Sequence, residues 1–315
     1  MIDLSRLKPN DFGRVGVFLG GRSHERSISL KSGEAIFQAL RNAGLDAVKI
    51  DTANGLRSQL KEHSIDLAFL ALHGTGGEDG AVQKVLNKAR IPYVGSDPHA
   101  SALAFDKARA KRVFIRHGIP TPSYDVLTRA TWRKKLQKWV PPYVIKPVNE
   151  GSSIGVFFIH KRENISKQIQ ANFRNYPRLL VEKKIVGREF TVGIFGDQAL
   201  PVIELRPKRK FYDFKAKYTK GLTEYLVPAP IPDDLANNLR SLALQVHNVL
   251  GLRDLSRIDF KVDNKNQPFV LEVNSIPGFT EMSLLPKAAQ CVGIGFVELC
   301  LSLLEMARTR EEVKV

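Results

Sequence analysis

Cysteine is nearly absent: Cys291 and Cys300 are the only two in 315 residues, so no disulfide framework holds this chain together. Such scarcity fits a reducing compartment and gives a cytoplasmic expectation. Neither cysteine joins the scattered histidines in a metal-ligand spacing. Long apolar runs are missing too. The start, MIDLSRLKPND, has no signal-like apolar core, and no later run approaches the roughly 20 residues of a membrane span. No membrane partner is expected. Acidic residues are in deficit, with 32 Asp and Glu against 48 Lys and Arg, a net charge of +16. That field attracts nucleic acid, but it also steers nucleotides and carboxylates. The basic residues are spread out, clustering only briefly at RKKLQK and RPKRK, and no helix-turn-helix, zinc-finger or RNA-recognition signature accompanies them. No nucleic-acid partner is expected either. The phosphate-loop spacing GxxxxGK[ST] and the dinucleotide fingerprint GxGxxG are likewise missing.

What remains is a globular composition, 43% hydrophobic and 25% charged, in a chain long enough for two or three lobes. The first hundred residues alternate strand and helix. VGVFLG, DAVKI and DLAFLAL read as strands, and ERSISLKSGEAIFQALRNAG as a helix ending at Gly44. That is a doubly wound α/β pattern with a parallel sheet. A helix expected at 105–117 leads through IPTPSYDVL into a second lobe. There YVIKP and VFFIH flank a glycine and serine loop. EFTVGIF and ALPVIEL follow, then a helix at 233–250, a hairpin and a C-terminal helix.

The hairpin, RIDFKVDNKNQPFVLEVN, carries the sharpest chemical signal. A turn at 264–267 places Asp259 opposite Glu272 and Arg257 opposite Asn274. Period-two alternation sends these four side chains to one face, with Phe269, Leu271 and Val273 on the other. Opposed carboxylates repel unless positive charge lies between them, and oxygen ligands of this kind suit Mg²⁺. A solvent-washed face of an amphipathic hairpin is the competing reading.

Four other stretches are chemically suggestive. NEGSSIG follows Lys146, and its glycines let backbone amides approach a phosphate while Ser152 and Ser153 add hydroxyls; a plain hairpin tip is the alternative. HGTGGEDGAVQ follows a strand, where open α/β sheets bind ligands. Its His73 is a candidate substrate neighbour, while Glu78 and Asp79 are expected to cap the next helix. In GGRSHERSISL, Glu25 is either a first-turn acid or a partner for a substrate ammonium. FYDFKAKYTKGLTEY has the composition of a loop closing over an anion, with Lys217 and Tyr218 as candidate ligands, or of a solvated basic loop.

Taken in order, GGRSHERSISL, HGTGGEDGAVQ, the Asp106–Lys107 pair, KPVNEGSSIGV, VEKKIVGREFTV, FYDFKAKY, RIDF and LEVNSIPGFTEMSLLP resemble the D-alanine–D-alanine ligases of the ATP-grasp superfamily, over nearly the whole chain. The resemblance implies an α/β and α+β chain. It would have a three-lobed ATP-grasp fold with an N-terminal doubly wound α/β domain at 1–103, a central lobe at 104–185 and a C-terminal lobe at 186–315. It implies ATP-dependent ligation of two D-alanines through an acylphosphate, for peptidoglycan precursors, by a homodimer joined through its N-terminal lobes. ATP would meet Lys107, Lys146, Ser152, Ser153, Glu182, Lys183 and Glu189, with Glu182 and the backbone after it on adenine and Glu189 on ribose. Asp259, Glu272 and Asn274 would hold two Mg²⁺ ions, or Mn²⁺ in their place. Glu25, Ser152 and Tyr218 would fix the first D-alanine, Lys217 the transferring phosphoryl group, and Arg257 with the Gly278 amide the tetrahedral intermediate. His73, Ser283 and Leu284 would line the substrate sites, with Ser283 on the second carboxylate.

The chain departs from the family in two places. Asp254 stands where glycine or alanine is usual, which bears on the acceptor subsite and keeps D-serine or D-lactate as alternative acceptors. Lys261 replaces an apolar residue on the face of the expected metal ligands. Retention of Tyr218 implies a dipeptide product.

Overall fold

A computed structural model describes residues 8–161, 165–208, 219 and 221–310. Strand β1 (Arg14–Leu19) is apolar and buried along nearly its whole length, as a strand covered on both faces must be. Helix α1 (Arg26–Asn42) follows and ends as its glycine suggested: Gly44, at φ +82°, donates to Arg41 O while Leu45 donates to Leu40 O. Strand β2 (Asp46–Asp51), α2 (Leu56–His63), β3 (Leu67–Leu70), α3 (Ala81–Ala89) and β4 (Tyr93–Val94) complete a parallel sheet of order β2-β1-β3-β4. Its order reverses between β1 and β3, so ligands are expected at the carboxyl ends of those two strands, where Glu25 and His73 lie.

The helix expected at 105–117 is two helices, α4 (Pro98–Phe105) and α5 (Lys107–Arg116). Asp106 separates them because its side chain accepts from the Arg109 amide at 2.9 Å, an N-cap that needs extended backbone. A second sheet follows from β5 (Tyr124–Leu127), α6 (Trp132–Leu136), β6 (Tyr143–Pro147), β7 (Phe157–Ile159), α7 (Ser166–Asn175) and β8 (Leu179–Lys183). Its order is β5-β8-β6-β7, all antiparallel. The third is built from β9 (Gly187–Phe195), β10 (Gln198–Ala199), β11 (Ile203–Pro207), β12 (Thr223–Leu226), β13 (Leu255–Asp263) and β14 (Pro268–Asn274). It runs β12-β11-β9-β13-β14, with β10 on β9, and α8 (Asp233–Val249) covers it. The α/β and α+β character and the ATP-grasp arrangement are thus those that the resemblance implied.

The C-terminal helix is also two, α9 (Leu284–Cys291) and α10 (Phe296–Arg308), bent by 103° across a stretch with two glycines. Helix α10 does not stay with the third sheet alone. Its Leu299, Cys300, Leu303 and Leu304 share a core with Val15, Val17, Ile36 and Phe69 of the first lobe. In turn Ala100, Ala104 and Phe114, from α4 and α5, pack with Val192, Ile258 and Phe260 of the third sheet. Each such fully buried aliphatic or aromatic side chain contributes about 1.5–3 kcal/mol, so the lobes are fastened to one another at two separate cores.

The hairpin of β13 and β14 differs in detail from its expected form. Its loop is centred on Lys265, with Asp263 donating to Gln267 O at 3.0 Å and Asn266 left-handed at φ +60°. That turn alone would misalign the carboxylates, but the ladder slips by one residue between Asp259 and Phe260. Leu271 is the extra residue of this bulge. Asp259 therefore does face Glu272, and Arg257 faces Asn274. The expected apolar face is only partly right: Val270 and Pro268 join Val273 in burial, while Phe269 and Leu271 are half-buried. The bulge turns Leu271 toward the cleft, beside Glu272.

Candidate active site

Each of the opposed carboxylates has a basic side chain of its own. Arg257 forks onto Asp259, with Nε to Oδ1 at 2.9 Å and Nη2 to Oδ2 at 2.8 Å. Thr191 Oγ1 donates to Asp259 at 2.6 Å and Asn274 Nδ2 at 3.2 Å. Lys107 Nζ lies 3.5 Å from Glu272 Oε2 and donates to Glu150 O at 2.5 Å. One lysine thus touches both the hairpin and the glycine–serine loop.

Beneath this, Glu182 on β8 is buried between two lysines, Lys146 at 2.5 Å and Lys111 at 3.0 Å. Burial pushes the Glu182 carboxyl up, but the two ammonium groups outweigh it and hold it below its ordinary value. Lys111, which the sequence reading passed over, is almost fully buried, and burial lowers its pKa to about 8. It also donates to Thr121 Oγ1 at 2.6 Å, and Thr121 donates to Val270 O at 2.8 Å. The chain of bonds runs from Glu182 to the residue before the bulge. The available signal was spacing: Lys111 lies four residues, one helical turn, beyond Lys107.

The loop at 150–155 folds onto the N-terminal lobe. Ser152 Oγ donates to Glu25 Oε1. Ser152, Ser153 and Gly155 all have left-handed backbone, at φ +51°, +61° and +71°. A Cβ at Gly151 would lie 2.6 Å from Glu25 Oε2, so a larger residue here would push the Glu25 carboxylate aside. Glu25 sits at the N-cap of α1 without capping it, because its carboxylate points to the loop instead. Glu78, expected to cap α3, is turned inward and buried, accepting from the Gly74 amide at 2.9 Å. Burial, then the nearby Glu25 carboxylate, pushes its pKa well up. The N-cap of α3 is Gly80, and Asp79 just before it accepts from the Ala81 amide at 3.0 Å.

His73 is buried and uses both ring nitrogens within the protein. Nδ1–H donates to Ile276 O at 3.0 Å, so Nε2 accepts from Ser32 Oγ at 3.2 Å, and Ser32 Oγ accepts from the Phe279 amide at 3.1 Å. The expected substrate neighbour is thereby a clasp that joins β3 and α1 to the segment bearing Gly278. Burial lowers its pKa to about 4, which keeps the ring neutral as this pattern requires. Ser283 Oγ accepts from the Thr280 amide at 3.0 Å, and Leu284 opens α9.

Lys183, Ser153 and Glu189 line a cavity of about 830 Å³ between the second and third sheets, together with Lys146, Asp259 and Glu272. That is the size of a small-molecule site. Glu189 Oε1 accepts from Lys261 at 2.7 Å. Asp254 is buried away from any such role, its Oδ2 accepting from the Gly95 amide at 2.6 Å and from Arg310. Lys217 and Tyr218 lie outside the described residues.

Among the described residues, no three His, Cys, Asp or Glu side chains meet as a metal cluster. Asp259, Glu272 and Asn274 offer two carboxylates and an amide on one partly exposed face, already matched by an ammonium and a guanidinium group. Two carboxylates and an amide oxygen form an all-oxygen donor set of the kind that suits a hard cation such as Mg²⁺.

Similarity to known proteins agrees with this geometry. The family model described as D-ala D-ala ligase C-terminus matches residues 113–305, and that of the N-terminus matches 47–96. The D-alanine–D-alanine ligase of Syntrophotalea carbinolica is 43% identical over 300 residues, covering 95% of this chain and 97% of its own length. A crystal structure of the Bacillus anthracis D-alanine–D-alanine ligase superposes with a TM-score of 0.84 at 33% identity, covering 93% of this chain and 97% of that one. The same enzyme complexed with ATP gives 0.81 at 31% identity, with the same coverage. On its fold, its ordered motifs and these relatives, the chain belongs to the D-alanine–D-alanine ligase family.

Proposed function

We propose that this chain joins two D-alanines into D-alanyl-D-alanine, a peptidoglycan precursor, converting ATP to ADP and phosphate. The observation that carries the reading is the convergence of Lys107, Lys146, Asp259, Glu272 and the 150–155 loop on one cleft.

The first D-alanine's ammonium meets Glu25, oriented by Ser152. Its carboxylate attacks the γ-phosphorus of ATP, ADP leaves, and an acylphosphate remains. Lys107 and Lys146 exchange their carboxylate partners for phosphate oxygens, which supplies the positioning and charge neutralisation that phosphoryl transfer needs. Asp259, Glu272 and Asn274 would hold Mg²⁺, which would supply further charge neutralisation at the phosphates. Lys217 would add to it, as the resemblance implies. Glu182, Lys183 and Glu189 face the nucleoside. The second D-alanine, its carboxylate at Ser283 and Leu284, attacks the acyl carbon through its amine, and phosphate leaves. Arg257, held by Asp259, and the Gly278 amide, held by the His73 clasp, stabilise the oxyanion. The 150–155 loop excludes water, which would otherwise hydrolyse the acylphosphate.

The test is release of ADP and phosphate from ATP and Mg²⁺ with D-alanine, against an L-alanine control. No release with D-alanine, or equal release with L-alanine, overturns the reading. D-serine or D-lactate as acceptor rested on Asp254, whose bonds to Gly95 and Arg310 give that alternative no support. The same reading carries a homodimer in the cytoplasm, tested by sedimentation and fractionation.

A further inference from the structure

The cleft face of β13 alternates in charge, Arg257, Asp259, Lys261, Asp263, as period two places them. Arg257 is committed to Asp259. Lys261 is committed elsewhere. It stands directly opposite Glu189 in the β13–β9 ladder, with Nζ 2.7 Å from Oε1 and the two side chains only 21% and 18% exposed. Both line the cavity between the sheets. A lone carboxylate there would repel an incoming polyphosphate and would sample several rotamers. With one oxygen bound to an ammonium, it keeps one orientation and presents the other oxygen as an acceptor.

We propose that Lys261 is a positioning and selectivity residue of the nucleotide site. It holds Glu189 Oε1 so that Oε2 accepts from a ribose hydroxyl, and it offsets the carboxylate's charge as the phosphates enter. The inference rests on the ATP reading above. It adds to that reading a role for Lys261, to which the resemblance assigns none. An ion pair serving only the surface of the strand would leave nucleotide binding unchanged.

The test is calorimetric affinity for ADP and for 2′,3′-dideoxy-ADP, in the wild-type chain and in the variants Lys261→Met and Lys261→Arg, with KM and kcat for ATP alongside. Lys261→Met is expected to bind ADP about tenfold more weakly, the worth of one charge-assisted hydrogen bond. Its preference for ADP over the dideoxy form should shrink, its KM for ATP should rise, and its kcat should stay within about twofold, because the phosphoryl contacts are untouched. Lys261→Arg should recover most of the preference. Unchanged ADP affinity and unchanged preference in Lys261→Met overturn this proposal alone. A wild-type chain that binds no ADP overturns the nucleotide reading with it.

Discussion

Asp259 and Glu272 stand directly opposite each other on β13 and β14, one position before the ladder slips at Leu271. Each already leans on a basic side chain, Arg257 at 2.8 Å and Lys107 at 3.5 Å. A pair of carboxylates so arranged is preorganised for cations stronger than either side chain. Glu272→Gln keeps the shape and removes one charge. Turnover should fall about 100-fold or more, with the melting temperature nearly unchanged. Near-normal turnover at saturating Mg²⁺ would contradict the assignment.

Ser152 reaches from the second lobe to Glu25 in the first. Ser152→Ala removes that donor and leaves a buried carboxylate oxygen to find another. The expected result is a rise of about tenfold in KM for D-alanine, with ADP affinity retained, because the loop's backbone amides remain. Initial rates against D-alanine concentration measure it, and a change confined to ATP would place Ser152 elsewhere.

His247 is buried under the third sheet, its Nδ1 2.8 Å from Ser256 Oγ, and burial lowers its pKa from 6.5 to about 4. The unfolded chain therefore binds a proton below pH 6.5 that the folded chain refuses until about pH 4. Stability from the neutral ring is complete above pH 6.5 and is lost as pH falls through this window, by about 3 kcal/mol in all. Denaturant titrations of wild type and His247→Asn isolate the effect from other titrating groups. The variant's deficit should shrink on acidification, and a pH-independent deficit would contradict it.

Asp254 ties three places together: the start of β13, Gly95 after β4, and Arg310 after α10. Asp254→Ala leaves the Gly95 amide and the Arg310 guanidinium without this acceptor, at a cost of about 2 kcal/mol. The product ratio with D-alanine, D-serine and D-lactate offered together should not change. A shift in acceptor choice without loss of stability would return Asp254 to the acceptor subsite.

Much of the fold was legible because its signals are local. The apolar run of β1, the glycine ending α1 and the alternation of β13 each decide a structure within a few residues. The register of the hairpin was legible by a coincidence of two errors. The turn centre falls half a residue from its expected place, and the Leu271 bulge, which no local signal announces, restores the facing pairs. The least legible residues take their roles from distant partners. Glu78 read as a capping acid and His73 as a substrate neighbour. Only the folded chain brings Glu25 beside the first and Ile276 against the second. Lys111 drew no reading from the sequence, and only the fold buries it against Glu182.

The cation site can be counted without relying on turnover. Free Mn²⁺, followed by its paramagnetic resonance signal in the presence of ADP, gives the ions bound per chain. The wild-type chain should bind two, and Glu272→Gln fewer and more weakly at equal ADP occupancy. Identical Mn²⁺ binding by the two proteins would contradict the hairpin carboxylates as the seat of the metal.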